Sequence, residues 1–255
     1  MTKTEQPLVS IVTPVYNAER FIRDTISSVQ AQTYDNWEWI LVDDVSSDKS
    51  VDIIKPLQKS DKRIKLIQSK SNQGAALSRN IGNKDAKGQY LAFLDADDLW
   101  NKTKLEKQVR FMRDNNYAFT FTDYELADEN GKSTGRRANM PTTISYSQSL
   151  KNHTIWTSTV MLDLKQVPKE IAYMPDVRRG QDTATWWRIL RHIDTAYSID
   201  KVLSYYRRTN DSLSSNKLKA VKRTWYLFRD VENLNLVKSC YNFCFYAFNA
   251  VRKRL

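Results

Sequence analysis

The chain has 255 residues, 41% of them hydrophobic with seven tryptophans, enough apolar material for a large folded domain, which excludes wholesale disorder. No run of 18 apolar residues occurs and MTKTEQPLVSIV lacks the head, core and cleavage site of a secretory signal, so a cytosolic chain without a transmembrane helix is expected. Net charge is +11, and from Lys217 onward nine Lys and Arg stand against two acids, so +7 falls in the last 39 residues and points to a negatively charged partner.

In chain order, LVSIVTPVY, WEWILVDD, RIKLIQS, QYLAFLDADD and YAFTFTD read as strands. Between them, residues 18–32, 48–59, 74–86 and 103–115 read as helices, several opening with Asp, Ser, Asn or Thr at the cap. This alternation predicts a mostly parallel sheet with helices on both faces, and ligands bind such sheets at the carboxyl ends of strands. From residue 129 the pattern loosens. ENGKSTG reads as a turn, TIWTSTVMLD as a further strand, DTATWWRILRH as a helix and SIDKVLSYYRR as a strand. The remainder reads as two helices broken near Asn233–Asn235. Cys240 and Cys244 are four apart, on one helix face, and form no disulfide framework; with only His153 and His192 there is no zinc set.

The stretch YLAFLDADDLW ends an apolar strand on three acids, Asp95, Asp97 and Asp98, and more acids gather at the same sheet edge: Asp43 and Asp44 after the second strand, Asp123 after the fifth. Unpaired, each would cost several kcal/mol to bury. Asp98 reads equally well as a turn former or cap. For Asp95 and Asp97 a divalent cation resolves the repulsion, since Mg²⁺ or Mn²⁺ takes carboxylate oxygens together with substrate phosphates. In an extended segment alternate residues point the same way, so this pair can address one ligand. A haloacid-dehalogenase-type phosphatase also ends a strand in Asp-x-Asp, but it needs a downstream lysine and an acidic Gly-Asp motif that are not evident. A nucleotidyltransferase would need a glycine-rich loop where TPVYNAERF stands.

Six ordered motifs, VSIVTPVYNAERFIRDTISSVQAQTY, ILVDDVSSDKS, NQGAALSRNIG, YLAFLDADDLW, GQDTATWWRIL and YYRRTNDSLS, together resemble the inverting family 2 glycosyltransferases of GT-A fold over residues 8 to 215. The resemblance implies an α/β, Rossmann-like GT-A domain over 1–215, with a nucleotide-binding half near 8–100 and an acceptor half near 101–215. It also implies a donor pocket. Thr13, Pro14, Val15 and Tyr16 would line base and ribose, Asp44 would accept from the uracil imide, and Gly74 would admit the backbone closely. Arg79 would help hold the nucleotide, Asp95 would contact ribose or sugar hydroxyls, and Asp97 would bind Mn²⁺ or Mg²⁺ on the diphosphate. Arg207 or Arg208 would meet the diphosphate. Asp182 would be the catalytic base, against the plainer reading of a helix cap before TATWWRIL. Trp186 and Trp187 read as core rather than as a sugar platform.

Three departures stand out. Gln181 precedes Asp182 where the family often has Glu. Val45 replaces the usual glycine after the Asp pair, which predicts an ordinary backbone conformation there. Neither histidine lies in YYRRTNDSLS. The expected reaction is hexose transfer from a UDP-sugar, glucose or galactose first, to a lipid-linked glycan in surface polysaccharide synthesis. The 216–255 tail, basic and aromatic, would hold the enzyme on the anionic inner face of the plasma membrane. A non-enzymatic nucleic-acid-binding protein would use the same charge but leaves the acids unexplained; no nucleic-acid partner is expected.

Overall fold

A computed structural model describes residues 6–151, 155–177, 179–208 and 217–252. His153 and residues 209–214 of the YYRRTNDSLS motif lie outside them. Four strands, β1 (Val9–Val15), β2 (Trp37–Asp43), β3 (Ile64–Gln68) and β4 (Tyr90–Phe93), run parallel in the order β3-β2-β1-β4. The helices between them are α1 (Ile22–Gln30), α2 (Ser50–Ser60) and α3 (Ala75–Asp85); α4 (Lys104–Asn115) follows β4.

Two-residue alternation sorts the strand side chains. Val9, Ile11, Trp37, Trp39, Leu41, Tyr90 and Ala92 pack on one face with Ile22 and Ile26 of α1, Ile54 of α2 and Leu105 of α4. Val12, Ile40, Val42, Leu91 and Phe93 pack on the other with Ala76 of α3 and with Trp186, Ile189 and Leu190 of α7 (Gln181–Ile193). Both faces are thus covered, so the central strands read as continuous apolar runs. Fully burying each such aliphatic or aromatic side chain contributes about 1.5–3 kcal/mol. The expected helix caps are used differently. Phe21, Lys49, Gly74 and Thr103 hold the cap positions without a side-chain cap bond. Asp48 and Asn101 act from just outside instead, accepting from Ser50 N at 2.9 Å and Thr103 N at 3.0 Å.

Beyond β4 the sheet becomes mixed. β9 (Met161–Asp163) lies antiparallel between β4 and β6 (Phe119–Ala127), and β6 is parallel to β10 (Thr195–Arg207). Short antiparallel strands β5 (Leu99–Trp100), β7 (Ser133–Ala138) and β8 (Thr143–Ser145) complete it. Among the described residues of TIWTSTVMLD only the end is strand; Thr157–Thr159 is a 3₁₀ turn. β6 continues four residues past Asp123, whose carboxylate accepts from Arg137 Nε at 2.9 Å and Met140 N at 2.8 Å, so this acid does not join the others. Two short helices, α5 (Tyr146–Lys151) and α6 (Lys169–Ala172), precede α7.

The tail forms α8 (Lys217–Tyr226), a π-helical turn at Leu227–Val231 and α9 (Leu236–Arg252), with the break where Asn233–Asn235 placed it. Leu227 and Phe228 join Leu150, Ala184 and Trp187 in a third small core. Trp187 and Phe228 stack at 5.4 Å and 19°, and both tryptophans of α7 are buried, as expected.

Lys104 is fully buried at the start of α4, its Nζ donating to Gln108 Oε1 at 2.8 Å and lying 4.0 Å from the Trp100 ring centroid. Burial pushes its pKa down to about 7. The charge therefore costs stability below that pH, and the cost fades as pH rises toward the unfolded value near 10.4. Lys104→Met is expected to raise unfolding free energy by about 1–3 kcal/mol at pH 6. The gain should shrink by pH 10, as urea denaturation at the two pH values would show. Equal gains at both would remove burial of the ammonium as the cause.

Candidate active site

The chain order places β2 and β3 on one side of β1 and β4 on the other, so a crevice opens past the carboxyl ends of β1 and β4, where such sheets bind ligands. A cleft of about 370 Å³ lies there. It is lined by Pro14, Val15, Tyr16, Asp44, Arg79, Asp95 and Asp97, all singled out from the sequence, and also by Asn17, Phe21 and Ser78, which were not. Tyr16 is 56% exposed, an open aromatic surface at the cleft. Asn17 adopts φ +48° and accepts from Ser47 N at 2.9 Å, tying the loop after β1 to the loop after β2. Asn tolerates this backbone better than most residues, and that is the signal by which the sequence could have marked it.

The five acids at this edge divide by task. Asp44 accepts from Gln73 N at 2.8 Å and Gly74 N at 2.7 Å, so it anchors the start of α3 while still facing the cleft. Asp43 is turned to Ser46 N at 3.3 Å. Asp98 is 1% exposed, accepting from Trp156 Nε1 at 2.9 Å, Ser158 Oγ at 2.5 Å and Arg207 N at 3.2 Å. Burial, then the charges of Asp97 and Asp95, hold its carboxyl well above the usual range. Asp98 is a structural strut. Asp95 pairs with Arg79, and its backbone N–H donates to Ser158 Oγ at 3.1 Å.

Asp97 is pushed up to about 6, by burial first and by the Asp95 charge second. These two carboxylates come together through a turn, Asp98 N donating to Asp95 O at 3.2 Å, and not through strand alternation as expected. Among the described residues no group of three His, Cys, Asp or Glu could hold a metal alone. Two carboxylates on a cleft wall, one kept from easy ionisation by burial and a like charge, do fit a hard cation that completes its shell with phosphate oxygens.

Asp182 lies in the first turn of α7, where an acid is favoured by the helix dipole. It is not the cap: Gly180 is, at φ +79°, where an added Cβ would also meet Leu227 Cδ1 at 2.7 Å. Asp182 accepts from Thr183 N at 2.8 Å and from Thr157 Oγ1 at 3.4 Å. The 3₁₀ turn thus joins the two acidic sites, Thr157 touching Asp182 while Ser158 holds Asp95 and Asp98. Trp156, beside them, packs 4.1 Å from Tyr206 and 6.2 Å from Tyr124. None of Trp156, Thr157 and Ser158 was singled out, because TIWTSTV carries strand propensity and no turn residue. Gln181 Oε1 is buried with no partner among the described residues; a neutral amide there costs less than a carboxylate would.

Gly74 needs its glycine for φ +85°, and the space where a Cβ would go is open. Three expectations change. Thr13 is fully buried and accepts from Trp39 Nε1 at 2.9 Å, so its side chain belongs to the core and not to the cleft. Val45 adopts φ +66° and not an ordinary conformation, a strain of about 1–3 kcal/mol for a β-branched residue. Arg207 has 1% of its side chain exposed. It donates to Asp97 O at 2.9 Å, Glu129 O at 2.6 Å and Asp24 Oδ2 at 3.0 Å, which leaves no free face for a diphosphate.

The profile described as Glycosyl transferase family 2 matches residues 10–166. TuaG of Bacillus subtilis (strain 168), a glycosyltransferase provisionally assigned to teichuronic acid biosynthesis, is 44% identical over 98% of both chains. WfgD of Escherichia coli, a UDP-Glc:α-D-GlcNAc-diphosphoundecaprenol β-1,3-glucosyltransferase, is 41% identical over 89% of this chain and 87% of its own. Among solved structures, residues 1–349 of S. aureus TarS with UDP-GlcNAc superpose with a TM-score of 0.72 at 18% identity, covering 94% of this chain and 71% of that one, a likeness of fold.

Proposed function

The chain belongs to glycosyl transferase family 2, an inverting glycosyltransferase of bacterial polysaccharide type, and we propose that it moves glucose, or failing that galactose, from a UDP-sugar to a lipid-linked glycan. The observation that carries this reading is the cleft at the β1/β4 crevice, which gathers Tyr16, Asp44, Arg79, Asp95 and Asp97. An aromatic face, an acceptor for an imide N–H, a guanidinium and two carboxylates are the groups a uridine diphosphate needs. Glucose is preferred over galactose because WfgD, so similar over most of its length, is named for UDP-Glc.

In this reading the acceptor hydroxyl oxygen attacks the anomeric carbon from the face opposite the diphosphate. The new C–O bond forms as the bond to the phosphate oxygen breaks, and the hydroxyl proton passes to Asp182. A positioned carboxylate contributes about 10²- to 10⁴-fold to such a step. Asp97, with Asp95 beside it, would hold Mn²⁺ or Mg²⁺, whose chemistry is to neutralise charge on the departing diphosphate. Arg79 and Asp95 orient the donor, and the 3₁₀ turn fixes the spacing between donor and base. The haloacid-dehalogenase and nucleic-acid readings give no account of Asp182 and are set aside. No helix among the described residues is long and apolar enough to cross a membrane. We place the enzyme peripherally, on the cytoplasmic face of the plasma membrane, where the proposed lipid-linked acceptor would lie.

Calorimetric titration of UDP with and without Mn²⁺ tests the donor site. Wild type should bind more tightly with Mn²⁺, and Asp97→Ala should lose that gain, about tenfold or more in Kd for a missing ligand. Unchanged affinity in Asp97→Ala with Mn²⁺ would sink the metal assignment. No UDP binding in either protein would sink the donor.

A further inference from the structure

The last helix is apolar on both faces, with Phe243 packed inward on the third core. α9 turns Ser239 and Asn242 inward, fully buried and 7% exposed, and Asn249 Nδ2 reaches Lys151 O at 3.2 Å. Its outward face carries Val237 at 79%, Tyr241 at 53%, Phe245 at 41% and Phe248 at 63% exposure, with Cys240 and Cys244 exposed between them. At 3.6 residues per turn these six positions fall on one stripe along a helix of 17 residues, about 25 Å long. A helix that merely packs on its domain puts its apolar side in and its polar side out. This one packs Phe243 inward but leaves a second, wider apolar stripe outside, and contiguous apolar surface of this kind marks a docking face.

We propose that the outward face of α9 docks on an anionic lipid bilayer, lying in the headgroup plane with its rings at the acyl boundary. Charge selects this occupant. Lys238 is exposed at the edge of the stripe, Lys151 sits 4.9 Å from the Tyr241 and Phe245 ring centroids, and the last 39 residues carry +7. A second copy of the chain would bring two such basic rims together, whereas an anionic surface satisfies both the rings and the cations. The same tail is wedged against the catalytic unit. Leu227 and Phe228 pack on Ala184 and Trp187 of α7, the helix whose first turn holds Asp182. Bilayer-facing stripe and proton acceptor therefore belong to one packed unit, so docking would bring the start of α7, with Asp182, toward an acceptor anchored in lipid. That last consequence rests on the function proposed above; the docking face does not.

The test is sedimentation of the full chain with vesicles of phosphatidylcholine alone or with phosphatidylglycerol at 7:3, using wild type and Val237→Ser/Phe248→Ser. Both changed side chains are solvent-exposed, and equal thermal midpoints and UDP titrations would establish that the variant is folded. Wild type should bind the anionic vesicles, weakly the neutral ones, and less as salt rises; the variant should lose about tenfold or more. Absent wild-type binding, or equal binding by the variant, would overturn the proposal. So would a wild-type dimer by light scattering that the variant abolishes, since the face would then be covered by a second copy. Vesicle binding without UDP binding would uphold the docking face and overturn the donor reading alone.

Discussion

Asp182→Asn should lower kcat by about 10²- to 10⁴-fold, the range for loss of a positioned general base, while UDP affinity stays within about twofold. The amide keeps the shape of the carboxylate: its oxygen still accepts from Thr183 N, and the Nδ2 that replaces the second oxygen can donate to Thr157 Oγ1, so the first turn of α7 has no reason to move. What disappears is the capacity to take a proton. The proposed donor pocket lies on β1, the turn after β2, α3 and the turn after β4, while Asp182 is tied to it, among the described residues, through the 3₁₀ turn, so the proposed base and nucleotide site are separable by mutation. Wild-type turnover in the variant would show the base to lie elsewhere. Parallel loss of turnover, UDP binding and thermal midpoint would make Asp182 a structural acid at a helix start.

The parallel half of the fold was legible because its physics is local. Short apolar runs such as VSIVTPV and YLAF read as buried strands by their length and their β-branched or aromatic content, and the helices between them carry one apolar stripe each. The cleft was largely legible for a related reason: acids at the carboxyl end of a core strand are too costly to be casual. The mixed half was not. β9 contributes three residues between β4 and β6, a pairing set by packing across the sheet and not by any periodicity three residues can show. Ser158 is the sharpest loss. A serine in a Thr-rich run carries no mark, yet it is fully buried, donates to Asp98, accepts from Asp95 N, and lends its carbonyl to Trp100 Nε1 at 2.7 Å. Val45 misled in the other direction. A β-branched residue argues for φ below zero, but the loop that brings Ser46 and Ser47 to Asn17 holds it at +66°.

Arg207 separates the two kinds of reading most cleanly, and Arg207→Met decides between them. The resemblance put its charge on a diphosphate; the structure closes its guanidinium over three segments. Nε holds the carbonyl of Asp97, Nη1 the carbonyl of Glu129 in the turn before β7, and Nη2 the carboxylate of Asp24 on α1, with the Phe21 ring centroid 4.8 Å away. A lysine could not span these acceptors, since one ammonium replaces a planar fork. Methionine fills the volume but leaves two carbonyls and Asp24 without their donor. The expected loss is about 1–3 kcal/mol of unfolding free energy, since the two carbonyls lose their donor while Asp24, half-exposed, turns to water. Because the Asp97 carbonyl is one of the released groups, metal-dependent UDP affinity should weaken as well, but as a consequence of the loosened turn. Urea denaturation and UDP titration on the same protein separate the cases. A diphosphate contact predicts intact stability with lost affinity; the clamp predicts lost stability first, with affinity following. Intact stability would return Arg207 to the donor site and require the guanidinium to swing out of its present contacts.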